Sequence, residues 1–308
     1  MSGKILALSG GVGGAKLALG LSQVLAPDDL MIAVNVADDF EHLGLHISPD
    51  LDSVTYALAG QNNQELGWGR AGESWHFIEA LTEFGGESWF RLGDKDLALH
   101  VQRSEMLKAN YSLSQVTEHI SQSLGITHEI LPISNDPVRT IVQTEGQDLN
   151  FQHYFVRERC RPVVKGFHFA GIEEATLNPL VKRWLDGCDG IIICPSNPFV
   201  SVDPVINIPG FREAAASIPT IAVSPIIGGQ AIKGPAAKMM GELDMPTTAS
   251  AVADHYGDFL SGFVLDREDA GQLGQLHLPA IATDSVMVTL SDRVALARDC
   301  LEFLETLR

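Results

Sequence analysis

The stretch Ala7-Leu8-Ser9-Gly10-Gly11-Val12-Gly13-Gly14-Ala15-Lys16 constrains this chain more than any other. The apolar run Ile5–Leu8 enters it, and Leu17, Leu21, Val24 and Leu25 follow it at helical spacing. A strand-to-helix turn with four glycines can enter positive φ and lets a ligand approach its backbone N–H groups. The helix behind it adds orphan donors and the positive end of a dipole. The loop therefore reads as an anion cradle formed by Gly10, Gly11, Gly13 and Gly14, with Lys16 beside it; a tight turn that binds nothing is the plainer alternative. Neither familiar phosphate motif fits. Leu17 follows Lys16, so no hydroxyl is placed for magnesium, and Lys16 stands where a dinucleotide fingerprint needs glycine. The loop predicts a phosphorylated ligand and names no reaction.

Composition narrows the partners. A chain of 308 residues, 45% hydrophobic with a mean hydropathy of +0.10, can bury a large core, and a single domain over residues 1–308 is expected. No stretch approaches the roughly 20 apolar residues that cross a bilayer. Met1-Ser2-Gly3-Lys4 leads into the first strand without a secretory leader, which predicts a soluble, cytoplasmic protein. The formal charge of −18 argues against nucleic acid and anionic membrane as partners. Phosphate would then be met locally, by backbone donors, a few Lys or Arg, or a metal held by carboxylates. Cys160, Cys188, Cys194 and Cys300 form no Cys-x-x-Cys pair, so neither a disulfide framework nor a zinc site is indicated.

Along the chain, Met31–Val36 suits a buried parallel strand and completes a βαβ start. It runs into a segment, Asp38 to Asp52, with five carboxylates and two histidines, including Pro49-Asp50-Leu51-Asp52 just before a helical Val54–Leu58. A solvated acidic loop with a helix-capping aspartate explains the same residues. Residues 60–124 turn helical and aromatic, with Trp68, Trp75, Phe77, Trp89 and Phe90, and read as an inserted helical cap. Inside it, Arg91, Asp94, Asp96 and His100 crowd the start of a helix, Asp96 and His100 being i, i+4 neighbours as in an ordinary ion pair. Ile130–Ile133 is a strand ending in Ser134-Asn135-Asp136-Pro137, and Arg139–Thr144 with Leu149–Val156 predict a β-hairpin at a sheet edge. Gly190–Cys194 leads into Pro195-Ser196-Asn197-Pro198, and Thr220–Val223 into another polar loop ahead of Pro235. Three strands ending in loops of small or polar residues predict a nucleotide crevice in a Rossmann-like α/β fold, with a mostly parallel sheet flanked by helices. The C-terminal part, with helices at Ala249–Tyr256 and Asp292–Leu304 around the strand Gly262–Asp266, carries no evident chemistry.

Several segments together resemble the CofD or FbiA transferases, the 2-phospho-L-lactate transferase family of the deazaflavin coenzyme pathway. They are Ser9–Lys16, Ile47–Asp52, Leu92–Asp96 with His100, Leu131–Val138, Pro195–Pro198, and Val223–Ile227 with Lys233–Ala236. The resemblance implies a magnesium-dependent cytoplasmic enzyme. It would pass a phosphorylated three-carbon acid from a guanosine diphospho-donor to the deazaflavin Fo, releasing GMP in coenzyme F-420 biosynthesis. It also implies a homodimer, and Fo contacts at Asp50 and Arg91. Many relatives carry Lys at the second position; Arg keeps the charge and changes the geometry. On this reading Asp50, Asp52 and Arg91 are catalytic, and Asp50, Arg91, Asp94, Asp96 and His100 bind the acceptor. Gly10, Gly11, Gly13, Gly14, Lys16, Ser134, Asn135, Asp136, Ser196 and Asn197 hold the nucleotide, and Asp50, with Asp38 as a weaker candidate, meets the metal. A nucleotide-sugar-binding regulator like the YvcK proteins, without transferase activity, is the alternative. A flavin or nicotinamide oxidoreductase is disfavoured by Lys16.

Overall fold

Short all-apolar runs bounded by turn residues become strands covered on both faces, because such strands need no polar side. The computed structural model describes residues 3–65 and 67–308; Met1 and Ser2, on which the expectation about a secretory leader partly falls, lie outside them. Strand β1 (Ile5–Ser9) leads through α1 (Gly11–Ser22) to β2 (Leu30–Val34). A small antiparallel hairpin of β3 (Phe40–His42) and β4 (Leu45–Ile47) precedes α2 (Pro49–Leu58). The long crossover to β5 (Glu129–Pro132) carries α3 (His76–Glu83), α4 (Asp94–Lys108) and α5 (Leu113–Ser123). Then come β6 (Arg139–Thr144), β7 (Leu149–Asn150), β8 (Val164–Ala170), α6 (Pro179–Leu185), β9 (Gly190–Ile193), α7 (Asp203–Ile206), α8 (Phe211–Ala215) and β10 (Thr220–Val223). The chain closes with β11 (Ile226–Ile227), β12 (Gln230–Ala231), α9 (Ala236–Glu242), α10 (Ala249–Tyr256), β13 (Gly262–Asp266), β14 (Ala280–Thr283) and α11 (Leu290–Glu305).

Among the described residues, seven strands pair in parallel in the order β5-β2-β1-β9-β10-β13-β14. Strands β1, β2, β9, β10 and β13 are buried at every residue, as their unbroken apolar runs require. Helix α1 packs between α2 and α11, while α6 packs on α8 and β2. Right-handed crossovers from an order that reverses between β1 and β9 put these two groups on opposite faces. No helix among the described residues is long and apolar enough to cross a membrane.

The α1–α11 contact depends on a missing side chain. A Cβ on Gly20 would run into the backbone carbonyl of Arg293 in α11. Gly20→Ala gains about 1 kcal/mol of helix propensity and loses about 3 kcal/mol to overpacking against backbone that cannot swing away. A melting temperature several degrees below wild type is expected by circular dichroism; an unchanged or higher value would mean that the two helices are not this close.

Two expectations about strands need correction. The hairpin expected at a sheet edge is a separate three-stranded antiparallel sheet, β7-β6-β8, in which β8 is the long partner of β6. The second strand expected over Leu149–Val156 pairs only at Leu149–Asn150 and gives way to a π-helical turn at His153–Arg157. Phe151 and Phe155, four residues apart, stack there with ring centroids at 5.4 Å, a contact that a strand would not allow. Residues 60–124 carry α3, α4 and α5 as expected, and a satellite cluster of Tyr56, Leu99, Val116 and Ile120 fastens α4 and α5 to α2.

A candidate active site at the sheet switch point

The strand order reverses between β1 and β9, and the loops leaving these strands meet there. Ser196 Oγ accepts a hydrogen bond from the Gly10 amide (3.2 Å) and donates one to the Gly10 carbonyl (2.8 Å). Gly11 lies at φ +65°, in the left-handed region. A Cβ at Gly13 would strike the Pro195 carbonyl, and one at Gly14 would crowd Ser9 Oγ and Ser196 Oγ. Half the reason for the glycine run is therefore close packing of α1 against the β9 loop. The helix starts inside the run, earlier than the Leu17–Leu25 stripe indicates. A cavity of about 540 Å³ opens above it.

Among the described residues, two of the four cavity carboxylates, Asp50 and Asp52, come from the first turn of α2. Pro49 at its start sets the helix, which places Asp50 and Asp52 in that turn with both side chains buried. Asp50 Oδ2 accepts from Asn35 Nδ2 (3.0 Å), and Asn35 is itself fixed by the Val200 carbonyl and the Ala37 amide. Burial pushes the Asp50 pKa up to about 7; Asn35 and the Gly11 amide oppose the rise, and Asp39 and Asp52 add to it. Asp38 is lifted well above the usual carboxylate range by burial first and then by Asp50 and Asp39, and its Oδ1 has no hydrogen-bond partner. Buried carboxylates crowded in this way, with Asp50 raising Asp38 and Asp39 raising both, favour a proton or a cation among them.

A buried network stands on the α4 side. Arg103 binds Asp52 through both terminal nitrogens, with Nη1 3.2 Å from Oδ2. The same Nη1 lies 3.2 Å from His100 Nδ1, and His100 Nε2 lies 3.4 Å from Asp96 Oδ2. Tyr56 donates to Asp96 Oδ1 at 2.6 Å. Burial works against the Asp96 charge, but His100 and Tyr56 outweigh it and hold its pKa below the ordinary value. Arg91 is exposed at the rim and stacks over Trp75 at 4.3 Å. Trp68, Phe90, Phe151 and Phe155 supply aromatic wall.

Residues 5–277 match the family model described as 2-phospho-L-lactate transferase CofD. The chain belongs to the CofD family. It is similar to a phosphoenolpyruvate transferase of Streptomyces griseus, with 37% identity over 99% of each chain. It is also similar to a 2-phospho-L-lactate transferase of Methanosarcina mazei, at 37% identity over 86% of this chain and 88% of the relative. A solved protein of the upf0052 family from Bacillus halodurans shares the fold, with a TM-score of 0.66 at 17% identity over 98% of this chain and 99% of that one. As a member of the CofD family the protein is a transferase.

For a CofD-family transferase, the segments that carried the resemblance part into two groups. Gly10, Gly11, Gly13, Lys16, Asp38, Asp50, Asp52, Arg91, Asp96, His100, Ser196 and Asn197 all line the cavity. Gly14 and Asp94 do not. Gly14 is buried beneath the first turn, and Asp94 accepts from Ser74 Oγ (2.6 Å) and from the His76 and Phe77 amides. The Ser74 bond and those amides keep the Asp94 pKa low. Ser134, Asn135 and Asp136 also stand away from the cavity, because β5, from which they leave, is the edge strand beyond β2. Ser134 donates to the Thr176 carbonyl, Asn135 accepts from Ser114, and Asp136 accepts from Thr176, so the turn ties the strand end to its neighbours. Lys16 Nζ donates to the Met287 carbonyl at 2.7 Å, and burial, then Lys233 and Arg293, lower its pKa.

Several lining residues escaped the sequence reading. The C-terminal part, expected to be free of chemistry, brings Ser285–Val288 to the cavity. Lys233 joins Lys16 there and donates to the Gly67 carbonyl at 3.1 Å. Arg103 had a usable signal, since Asp96, His100 and Arg103 fall at i, i+4 and i+7 on one helix face. Phe151 and Phe155 carried a similar one at i, i+4.

Proposed function

We propose that this chain transfers a phosphorylated three-carbon acid (phospholactyl, phosphoenolpyruvyl or phosphoglyceryl) from a guanosine diphospho-donor to a ribityl hydroxyl of the deazaflavin Fo. GMP is released, in coenzyme F-420 biosynthesis. The observation that carries the reading is one cavity that sets the glycine turn, Lys16 and Lys233 beside the buried carboxylates Asp38 and Asp50, with Asp50 directly against Gly10 and Gly11. Phosphoryl transfer needs that pairing: donors for phosphate oxygens next to a group for the acceptor's proton and a metal.

In this mechanism the first turn of α1 and Lys16 hold the diphosphate, and Ser196 keeps the turn in place. The acceptor hydroxyl oxygen forms a bond to the phosphorus of the acid's phosphate as the bond to GMP breaks. Asp50 has two possible roles, proton acceptor and metal ligand, and both require its carboxylate. Among the described residues no three His, Cys, Asp or Glu side chains converge as a metal cage. Magnesium rarely asks for one, since it is held by one or two carboxylates with substrate phosphates and water completing the shell. The orphaned Asp38 Oδ1 beside Asp50 fits that donor set. When bound there, magnesium would neutralise charge on the phosphoryl oxygens. Trp68, Phe90 and Phe155 offer faces to a planar deazaflavin, with Arg91 at the rim.

The test is incubation with Fo, GTP, magnesium and each candidate acid together with the partner guanylyltransferase. The expected result is an Fo product heavier by one phospho-acid with matching GMP release, detected by mass; absence of product with all three acids would overturn the reading.

A further inference from the structure

Helix α4 presents Asp96, His100 and Arg103 toward α2, and their contacts fix more than charge balance. Arg103 is 3% exposed and its Nη1 reaches both Asp52 Oδ2 and His100 Nδ1 at 3.2 Å. A guanidinium has donors and no acceptor, so the hydrogen bond requires His100 Nδ1 to be the bare, accepting nitrogen. The ring proton then sits on Nε2. That Nε2 is buried, makes no hydrogen bond, and belongs to a residue lining the cavity. The nearest carboxylate oxygen, Asp96 Oδ2, is 3.4 Å away, and the other oxygen of Asp96 is taken by Tyr56.

We propose that Arg103 is a positioning residue that locks His100 as the Nε2–H tautomer, so that His100 offers the acceptor a hydrogen-bond donor and does not serve as its base. The proposal rests on the reading that the acceptor binds on this side of the cavity. The atom recognised is an oxygen with a free lone pair, carbonyl or hydroxyl, on the bound acceptor. Asp52 is held at both oxygens by Arg103 and is likewise withheld from proton transfer. The acceptor's proton is left to Asp50, whose side-chain hydrogen-bond partner is the neutral Asn35 and which forms no ion pair among the described residues.

Two measurements decide it. Glutamine places an N–H near the position of the imidazole Nε2 and has no basic nitrogen. His100→Gln should lower kcat/KM for the acceptor about tenfold, mostly through KM, and His100→Ala about a hundredfold. If both variants instead fall alike in kcat, by about 10²–10⁴-fold, His100 is the base and the proposal is wrong. The second measurement needs no substrate and so survives failure of the transferase assignment: ¹⁵N NMR of the His100 ring. The wild-type protein should show a bare Nδ1 and a protonated Nε2, and Arg103→Met a mixture of tautomers. A wild-type ring protonated at Nδ1, or a tautomer indifferent to Arg103→Met in a variant with native circular dichroism, would overturn it.

Discussion

Asp50→Asn should bind the guanosine nucleotide nearly as well as the wild type, be at least as stable, and transfer at least about a thousandfold more slowly. The amide is isosteric and keeps an oxygen for Asn35, but it can neither take a proton nor ligate magnesium strongly. The stability part follows from the raised pKa. The carboxyl titrates at about 7 in the folded chain, against a reference value of 3.8. Between those values the folded state holds a proton that the unfolded state has released. Wild-type stability therefore falls as pH rises from about 4 to about 7, and the deficit is constant above that. The variant lacks this penalty, on the order of 2–4 kcal/mol at most. Its melting temperature should exceed that of the wild type at pH 8, with the gap closing toward pH 4. Magnesium should raise the wild-type melting temperature by binding the folded state alone, and leave the variant unmoved. A magnesium shift that persists in Asp50→Asn makes Asp50 the proton acceptor and not a ligand. Turnover at the wild-type rate would remove Asp50 from the chemistry altogether.

Lys16→Met is expected to cut kcat/KM by about 10²–10³-fold, with most of the nucleotide's thermal stabilisation lost. Lys16 projects from α1 into the cavity and its Nζ has the Met287 carbonyl as partner. Burial, Lys233 and Arg293 all disfavour its charge, and a diphosphate is the counter-ion that would reverse this. For a lysine of lowered pKa the penalty is fully present below the folded pKa and fades as pH rises through it. Removing the charge should therefore leave stability at pH 7 unchanged or improved, so lost activity could not be put down to unfolding. A fall of less than about threefold would reduce Lys16 to a strut for the loop before α11.

The carboxylate arm of the site was legible because local rules produce it. The apolar Met31–Val36 run marks a buried strand whose end leads into Asp38, and the helix expected over Val54–Leu58 starts earlier, at Pro49, so Asp50 and Asp52 fall inside its first turn and not before it. The segment Ser134–Asp136 looked equally loaded with polar groups at a strand end. Its β5 lies at the sheet edge, two strands from the reversal, and strand order is not written in any local pattern. Strand β14 and the Ser285–Val288 loop were passed over for a related reason: Ala280–Thr283 is a short, half-exposed edge strand with a weak apolar signal. Arg103 was missed because its meaning depends on Asp52, 51 residues earlier in the chain.

By itself the sequence determined the elements whose causes are local. These are the buried parallel strands, the glycine turn after β1, a helix following the Pro49–Asp52 carboxylates, and an ordered set of segments specific enough to indicate the family. Tertiary structure decided which strand ends share a crevice, why Gly13 and Gly14 cannot carry a Cβ, and which carboxylate is paired. Asp50 and Asp52 stand two residues apart in the same helical turn, and burial lifts both above the usual carboxylate range, yet Arg103 pairs with Asp52 and opposes its rise, while Asp50 is pushed up to about 7. Burial and charge pairing belong to side chains brought together from distant parts of the chain, so the difference between two adjacent aspartates emerges only once the chain is folded.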